Sequence, residues 1–394
     1  MSDELSQMEF DYVLVGGGLQ AGLLALAIRH HHRSAAIALV ERENTIAGNH
    51  TWSFHPGDVP EASRPWISPL IEHQWDSYEV RVGDIRRDVS LSYASISSEH
   101  FADVVSKVFS QACSSRLLCS TDVAGVEESR VVTSKGHSIT GRCVIDCRGP
   151  SSGKTPFAGC GFQKFHGFEI VLPEDWPFER PVIMDSRIDQ QDGFRFLYTL
   201  PFDSNRVLVE DTRFSDTPDC ERAECLEAVR TYLQPFGIDR FDIVREESGV
   251  LPMPYSSELM PEGRRPLAGG YAGGWFHAAT GYSFPMAVAF AEAIASGPLE
   301  TAGQRVTALQ DEHRWRARFS RFLNRLLFGL VAPRHRYRIF QRFYRVLGRD
   351  AIERFYSHQF SFADAFRIVV GIPPTLIGLR PISFLKTFSR GVST

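Results

Sequence analysis

The alternation of apolar and polar positions divides the chain into several distinct regimes. Residues 11–16, within "DYVLVGGGLQAG", form a short apolar run that leads into a glycine-rich turn. "LLALAIRHHH" then has helical periodicity, and "AIALVER" reads as a second strand, so the start of the chain predicts one β-α-β unit. "EHFADVVSKVFSQAC" puts Phe101, Val104, Val105 and Val108 on one side of a helix, and "GRCVIDCRGPSS" predicts a strand running into a glycine turn.

Residues 160–255 follow a different pattern. "PVIMD", "FRFLYTLP" and "RVLVEDT" are strand-like, and "FDSN" between the last two is a hairpin turn. "CERAECLEAVRTYLQPFG" predicts a helix ending at Gly237, and the block as a whole predicts a separate sheet. Residues 264–296 read as a strand, a glycine-rich loop and a long apolar helix, and from about 303 the chain is helical and rich in Arg and Phe. The expected organisation is α/β with three parts. A discontinuous nucleotide-binding domain comes from 1–60, 99–158 and 262–300, and a substrate-binding sheet domain from 61–98 and 159–261. Residues 301–394 form a helical C-terminal region.

Gly16, Gly18 and Ala21 match G-x-G-x-x-A between a strand and a helix, the Rossmann-type pattern. The first glycine allows the tight turn, the second lets backbone approach a pyrophosphate, and the helix N-terminus supplies partial positive charge. Glu41 lies 25 residues after Gly16, at the end of the second strand, where an acid binds ribose hydroxyls. That acid favours an unphosphorylated ribose, as in FAD or NAD. "PLAGGYAGGWFHAATGYSFP" favours FAD, with Ser283 as the N-cap and Pro285 in the first turn of the following helix. Such a helix would aim its positive end at an isoalloxazine ring and stabilise the anionic reduced state. The same stretch also reads as a core helix behind a flexible loop, and the two readings are compatible.

Composition narrows the class. With 43% hydrophobic residues over 394 positions the chain is globular and large enough for two or three structural units. "MSDELSQMEF" is acidic and carries no apolar run, and no window approaches about eighteen uninterrupted apolar residues, so a cytoplasmic chain without a membrane span is expected. Seven scattered cysteines predict neither a disulfide framework nor, at Cys143 and Cys147, a metal site. The contiguous histidines of "RHHHR" fan around a helix end and cannot converge on one metal.

The "VLVEDT" strand carries two adjacent acids. Glu210 shares a face with Leu208 and Arg206, whereas Asp211 faces the side of Val207 and Val209. Only one of them can point into a given cavity. Taken together, "GNHTWSFH", "MDSRIDQQDGFRFLYTLP", "VLVEDT" and "FHAATGYSFP" resemble the bacterial flavin-dependent lycopene β-cyclases, in order and spacing, along nearly the whole chain.

The resemblance implies a flavoprotein fold related to aromatic hydroxylases and geranylgeranyl reductases. It also implies lycopene and partly cyclised carotenoid as substrates, and a reaction with no net redox change. Reduced FAD is then required but not consumed, with NAD(P)H as the source of its electrons. Protonating a terminal alkene needs a carboxylic acid held protonated in apolar surroundings. The family's acidic motif makes Glu210 that acid, with Asp211 positioning it or holding local structure and Asp185 as a further site carboxylate. Pairing of Glu210 with an arginine at a sheet edge is the competing reading. His277, Thr280, Gly281 and Tyr282 are expected near the flavin. His50 and Trp52 are placed in the same region, Trp52 equally as a packing residue. The late loop "AGGYAGG" lacks the Gly-Asp pair that often holds the ribityl chain, which leaves those contacts unassigned.

Charge is unevenly distributed. Residues 313–394 hold fifteen Arg, one Lys and three acids, for +13, against −17 for the first 312 residues. "RFSRFLNRLLF" places Phe319, Phe322, Leu323, Leu326 and Leu330 on one helical face, with Arg318, Arg321, Asn324 and Arg325 on the other. "PRHRYRIFQRFYRVLGR" and "FRIVVGIPPTLIGLRPISFLKTF" continue the mixture. Arginine beside aromatic residues suits anionic lipid headgroups, and hence a chain peripherally associated with the inner face of the cell membrane. It equally describes packing helices whose arginines pair with the acidic body. No nucleic-acid motif accompanies the charge. Contact with other carotenoid-pathway enzymes is compatible with that surface.

Overall fold

The first apolar run is buried on both of its faces, which is why its pattern is continuous and not alternating. In the computed structural model, which describes residues 8–149, 159–190, 192–256 and 266–370, this run is the strand Glu9–Val15. It lies parallel between Ile37–Val40 and Ser138–Asp146 in a seven-stranded sheet. The short strand Leu267–Ala268 joins the same sheet beside Ile145 and Asp146. Two backbone bonds fasten this junction: Cys147 N donates to Val15 O (2.8 Å) and Gly269 N to Asp146 O (2.8 Å). The early and late glycine loops, about 250 residues apart in sequence, therefore emerge side by side. The helices that follow them, Leu19–His31 and Phe284–Ala295, pack against each other in the first core. Gln20 ties the two together through Ala287 O (3.0 Å) and Gly270 N (3.2 Å). Ser283 occupies the expected N-cap position and Pro285 the first turn, but the serine side chain makes no capping bond.

The second sheet runs in the order Asp242–Pro254, Cys160–Val171, Arg206–Ser215, Phe194–Pro201, Val182–Asp185, Tyr78–Val82, Ile85–Val89. One face packs under the helix Arg222–Leu233, through Phe168, Val207 and Val209. The opposite face carries Phe196, Leu200 and Leu208 against Tyr78, Tyr344 and Ile352. A three-stranded sheet, Thr51–Phe54, Tyr93–Ser97 and His73–Trp75, lies between the two cores. Its Phe54 and Ile96 join the first core and its Tyr93 the second.

The C-terminal helices are Ala302–Asn324, Tyr337–Val346, Arg349–Tyr356 and Phe362–Val369. The expected division of faces at 318–330 does not hold. Asn324 is buried and donates to Pro254 O (3.0 Å) and Ala278 O (2.7 Å), while Phe322 is 41% exposed. A wide π-helical stretch over Arg325–Leu330 breaks the 3.6-residue period and turns Leu327 and Phe328 into the second core. Of "FRIVVGIPPTLIGLRPISFLKTF", everything from residue 371 onward lies outside the described residues.

Arg336 fastens this region to the sheet. Fully buried, it donates to Asp216 Oδ1 (2.6 Å), Phe214 O (3.0 Å) and Leu327 O (3.3 Å), with its guanidinium 4.7 Å from the Phe328 ring centre. Truncating a large buried side chain and orphaning the carbonyls it satisfies costs about 3 kcal/mol. Arg336→Ala is therefore expected to lower stability by about that amount, measured as a shift of the urea unfolding midpoint.

Candidate active site

Glu210 sits in the middle of the Arg206–Ser215 strand. Across one ladder its partner is Tyr198, and across the other it is Gly167. One strand further on, Gly167 faces Glu247. Directly opposite residues project to the same face of a sheet, so Glu210 and Glu247 flank a position that has no side chain. A Cβ at Gly167 would lie 3.0 Å from Glu247 Cγ and 3.5 Å from Glu210 Cβ. Only glycine leaves the two carboxyl groups as neighbours.

The two are held differently. Glu247 accepts from Thr51 Oγ1 (2.7 Å) and Arg245 Nη1 (2.9 Å), both of which favour its ionised form. Among the described residues, the one hydrogen-bond partner of Glu210 is the Thr212 hydroxyl. Glu210 keeps some accessible surface but is densely surrounded, and burial followed by the charge of Glu247 pushes its carboxyl up to about 8. Burial also raises Glu247, against the opposing pull of Arg245 and Thr51. Burial thus raises both acids, and only Glu247 has Arg245 and Thr51 to offset it, so Glu210 is the one kept protonated near neutral pH.

Tyrosines wall the same face. Tyr198 OH lies 3.1 Å from Tyr93 OH and donates to Ser53 Oγ (2.7 Å). Tyr93, Tyr78, Tyr356 and Tyr282 surround the ring of His55 at centroid distances of 5.1, 5.5, 6.0 and 6.4 Å. Burial pushes their phenols up, Tyr356 to about 12, so they present neutral hydroxyls and π-faces. Aromatic faces of this kind stabilise a cation.

The other two candidate carboxylates lie elsewhere. Asp211 points to the far face, fully buried, and accepts from Arg195 (2.9 and 2.6 Å) and Arg213 (2.9 Å). Burial works against its charge, yet the hydrogen bonds from Arg195 and Arg213 hold it below the usual carboxylate range. Asp185 accepts from Arg187 (2.8 and 2.6 Å), Arg81 (3.2 Å) and Tyr232 OH (3.2 Å), and Tyr232 belongs to the helix covering that far face. The structure thus brings Glu210 together with Glu247 and leaves Asp211 and Asp185 as braces on the other side of the sheet.

The nucleotide loop has the features a dinucleotide needs. Gly16 takes φ +97°, and a Cβ at Gly18 would meet nothing within 4 Å. The helix behind has no side-chain cap, so its first-turn N–H groups stay open to a phosphate. Ala21 is fully buried against the core. Glu41 accepts from Gly17 N (2.5 Å) and Glu43 N (2.9 Å), which fixes its carboxylate at the end of the second strand.

In the late loop, Thr280 N and Gly281 N both donate to His277 O (3.1 and 2.9 Å), and His277 N to Tyr282 O (2.8 Å). His277 Nε2 is buried without a partner, and burial lowers the imidazole to about 3, so it is neutral. Tyr282 turns away from this loop. Its hydroxyl donates to Asp58 Oδ2 (2.9 Å) and accepts from His55 N (3.2 Å). His50 is held neutral by burial and Arg245, and Trp52 packs at 4.9 Å on Phe101.

The comparisons with known proteins converge on one family. Residues 11–378 match the family described as lycopene cyclase protein. The chain is 37% identical over 377 residues to lycopene beta-cyclase of Pantoea ananas, spanning 93% of this chain and 96% of that one. The chain belongs to the lycopene cyclase family. A second relative, lycopene beta-cyclase of a Paracoccus strain, is 36% identical over 94% of this chain and 96% of its own length.

Among solved structures, a geranylgeranyl bacteriochlorophyll reductase-like protein of Thermoplasma acidophilum superposes with a TM-score of 0.65 at 12% identity, covering 98% and 99% of the two chains. A probable FAD-dependent monooxygenase of Pseudomonas aeruginosa gives 0.58 at 15% identity, over 84% of this chain and 98% of that one. These likenesses show the fold of this lycopene cyclase family chain to be the expected flavoprotein α/β fold.

Sequence reasoning missed Glu247, Gly167, His55 and Asp58. "REESG", "FHGFE" and "SFHPGD" carry them, but only strand register brings Gly167 and Glu247 to Glu210, and only a chain turn returns Asp58 to His55. In this lycopene cyclase family chain the two adjacent acids separate cleanly by stability. Asp211→Asn removes the buried carboxylate that Arg195 and Arg213 share, leaving them the more exposed Glu224 and Asp192, and is expected to cost about 3 kcal/mol. Glu210→Gln removes a group that burial opposes and should change stability by less than about 1 kcal/mol. Urea unfolding of both variants checks this.

Proposed function

We propose that this chain closes the linear ends of lycopene into β-ionone rings, through γ-carotene to β-carotene, with Glu210 as the initiating acid. The observation carrying this reading is a carboxyl raised to about 8 beside Glu247, facing a wall of tyrosines. At neutral pH such a group is roughly nine-tenths protonated. It gives its proton to the terminal alkene, the next alkene attacks the resulting cation, and loss of a proton from the new ring restores a double bond. No electrons are gained or lost overall.

Gly16, Gly18 and Glu41 would hold the nucleotide part of an FAD, and the late loop at His277, Thr280 and Gly281 would lie against its ring. When bound in its reduced anionic form, the flavin supplies negative charge beside the cation, with NAD(P)H as the source of the electrons that prime it. The chain's own residues do the rest. Gly167 lets Glu247 approach Glu210 and keep it protonated, Thr212 orients its carboxyl, and the tyrosines exclude water from the cation.

Glu210→Gln is expected to lower cyclisation by at least about 100-fold with FAD still bound, measured anaerobically with lycopene in liposomes and dithionite-reduced enzyme. Product of unchanged mass is the expected outcome for the wild type. A product two hydrogens heavier would make the chain an isoprenoid reductase. The acid must be protonated to act, and its value lies above that of a free carboxyl. The rate should therefore fall about tenfold per unit above about 8.

We also infer that the C-terminal region docks on the inner face of the cell membrane, where a hydrocarbon substrate dissolves. Among the described residues, no helix is long and apolar enough to cross a membrane. The last described helix instead exposes Phe362 (73%), Phe366 (65%) and Val369 (41%). Replacing Phe362 and Phe366 with serine is expected to reduce cosedimentation with anionic liposomes at least about fivefold, since each apolar side chain contributes about 1.5 kcal/mol or more.

A further inference from the structure

A β-ring needs a second group, one that takes a proton from the carbon beside the cation. Glu210 donates, Glu247 is engaged by Arg245 and Thr51, and the tyrosines are neutral hydroxyls. What remains is a cluster of buried polar atoms without partners. His55 is 5% exposed and its Nε2 makes no hydrogen bond; Asp58 Oδ1 and Tyr78 OH are equally unpaired. Buried polar groups almost always find partners, so three orphans in one place call for an explanation.

The turn that builds this cluster is short. His55 precedes a 3-10 turn at Pro56–Asp58, and Asp58 N donates back to His55 O (2.8 Å), which returns the Asp58 carboxylate to the imidazole. Asp58 Oδ2 lies 3.4 Å from His55 Nδ1, within ion-pair reach though not aligned as a hydrogen bond. Tyr282 OH clamps both, through Asp58 Oδ2 and the His55 backbone N–H. One strand, Thr51–Phe54, connects the cluster to the acid. Its Thr51 holds Glu247, its Ser53 holds Tyr198 beside Glu210, and its end delivers His55.

Resting on the cyclase reading above, we propose that His55, oriented by Asp58, accepts the proton that the new ring releases. The Glu210 O–H bond breaks as the end alkene's π pair takes the hydrogen onto its less substituted carbon, leaving the cation on the other. An alkene π pair makes the ring bond, and the C–H pair beside the cation becomes the ring double bond. The released proton goes to His55 Nε2, where the Asp58 carboxylate stabilises the imidazolium. One proton enters and one leaves per ring, and exchange with solvent resets both groups. The position of the base decides which C–H breaks and therefore where the ring double bond forms.

The test uses FAD-loaded, dithionite-reduced enzyme with lycopene in liposomes, reading both rate and ring isomer. His55→Gln should lower β-ring formation at least about 100-fold, with the residual product shifted toward rings whose double bond lies elsewhere. Asp58→Asn should lose about tenfold and keep β-rings. The Asp58→Asn loss should fall on kcat with the KM for lycopene unchanged, and Asp58→Glu should recover most of the rate. The charged and titratable groups facing His55 are Asp58, Tyr78, Tyr93, Tyr282 and Tyr356.

If His55→Gln does not fold or load FAD, the kcat loss in Asp58→Asn and its recovery in Asp58→Glu carry the test. β-rings at near wild-type rate in His55→Gln, or an unchanged kcat in Asp58→Asn, would overturn the assignment. No cyclised product from the wild type would instead overturn the cyclase reading itself.

Discussion

Two carboxyl groups that share one buried place cannot both carry charge, and the active face is arranged around that constraint. Burial penalises the charge on Glu210 first, and the like charge of Glu247 adds to that penalty. Glu247 has Arg245 and Thr51 to hold its charge, and Glu210 has only a hydroxyl, so the proton stays on Glu210. Gly167 makes the arrangement possible by leaving the space between them empty of side chain. Register across three antiparallel strands then fixes it, because a one-residue slip would send either acid to the far face.

The far face shows the opposite solution. There Asp211 and Asp185 lie among Arg195, Arg213, Arg81 and Arg187, and each charge is compensated. Adjacent residues on one strand thus serve opposite ends. Asp211 is ionised and braces the sheet under the Arg222–Leu233 helix, and Glu210 is kept neutral against the tyrosines. The C-terminal helices complete the neutral side by bringing Tyr344 and Tyr356 over it, with Arg336 anchoring them to the sheet.

Much of this was legible along the chain. The β-α-β unit, the pairing of the late glycine loop with a strand and a helix, and the split of Glu210 from Asp211 all follow from local periodicity. The partners of Glu210 do not. Glu247 lies 37 residues further on and reaches it only through a third strand that contributes a glycine. Asp185 reads as a lone site acid until Arg81 and Tyr232 arrive from distant elements. Asn324 reads as a surface residue until the carbonyls of Pro254 and Ala278 arrive from distant elements to accept from it. Those outcomes are set by register and by non-local packing, which a period count cannot supply. His55 and Asp58 were hidden for a different reason: a His and an Asp three apart are unremarkable until burial leaves His55 Nε2 and Asp58 Oδ1 without a hydrogen bond among the described residues.

The central claim is that Glu210 is a carboxylic acid at neutral pH because it is buried beside Glu247. Infrared difference spectra of the protein against Glu210→Gln, taken across a pH titration, observe this directly through the carboxyl C=O stretch. The account predicts a protonated-carboxyl band present at pH 7 and lost with a midpoint near 8. A difference spectrum that already shows only carboxylate at pH 6 would contradict it.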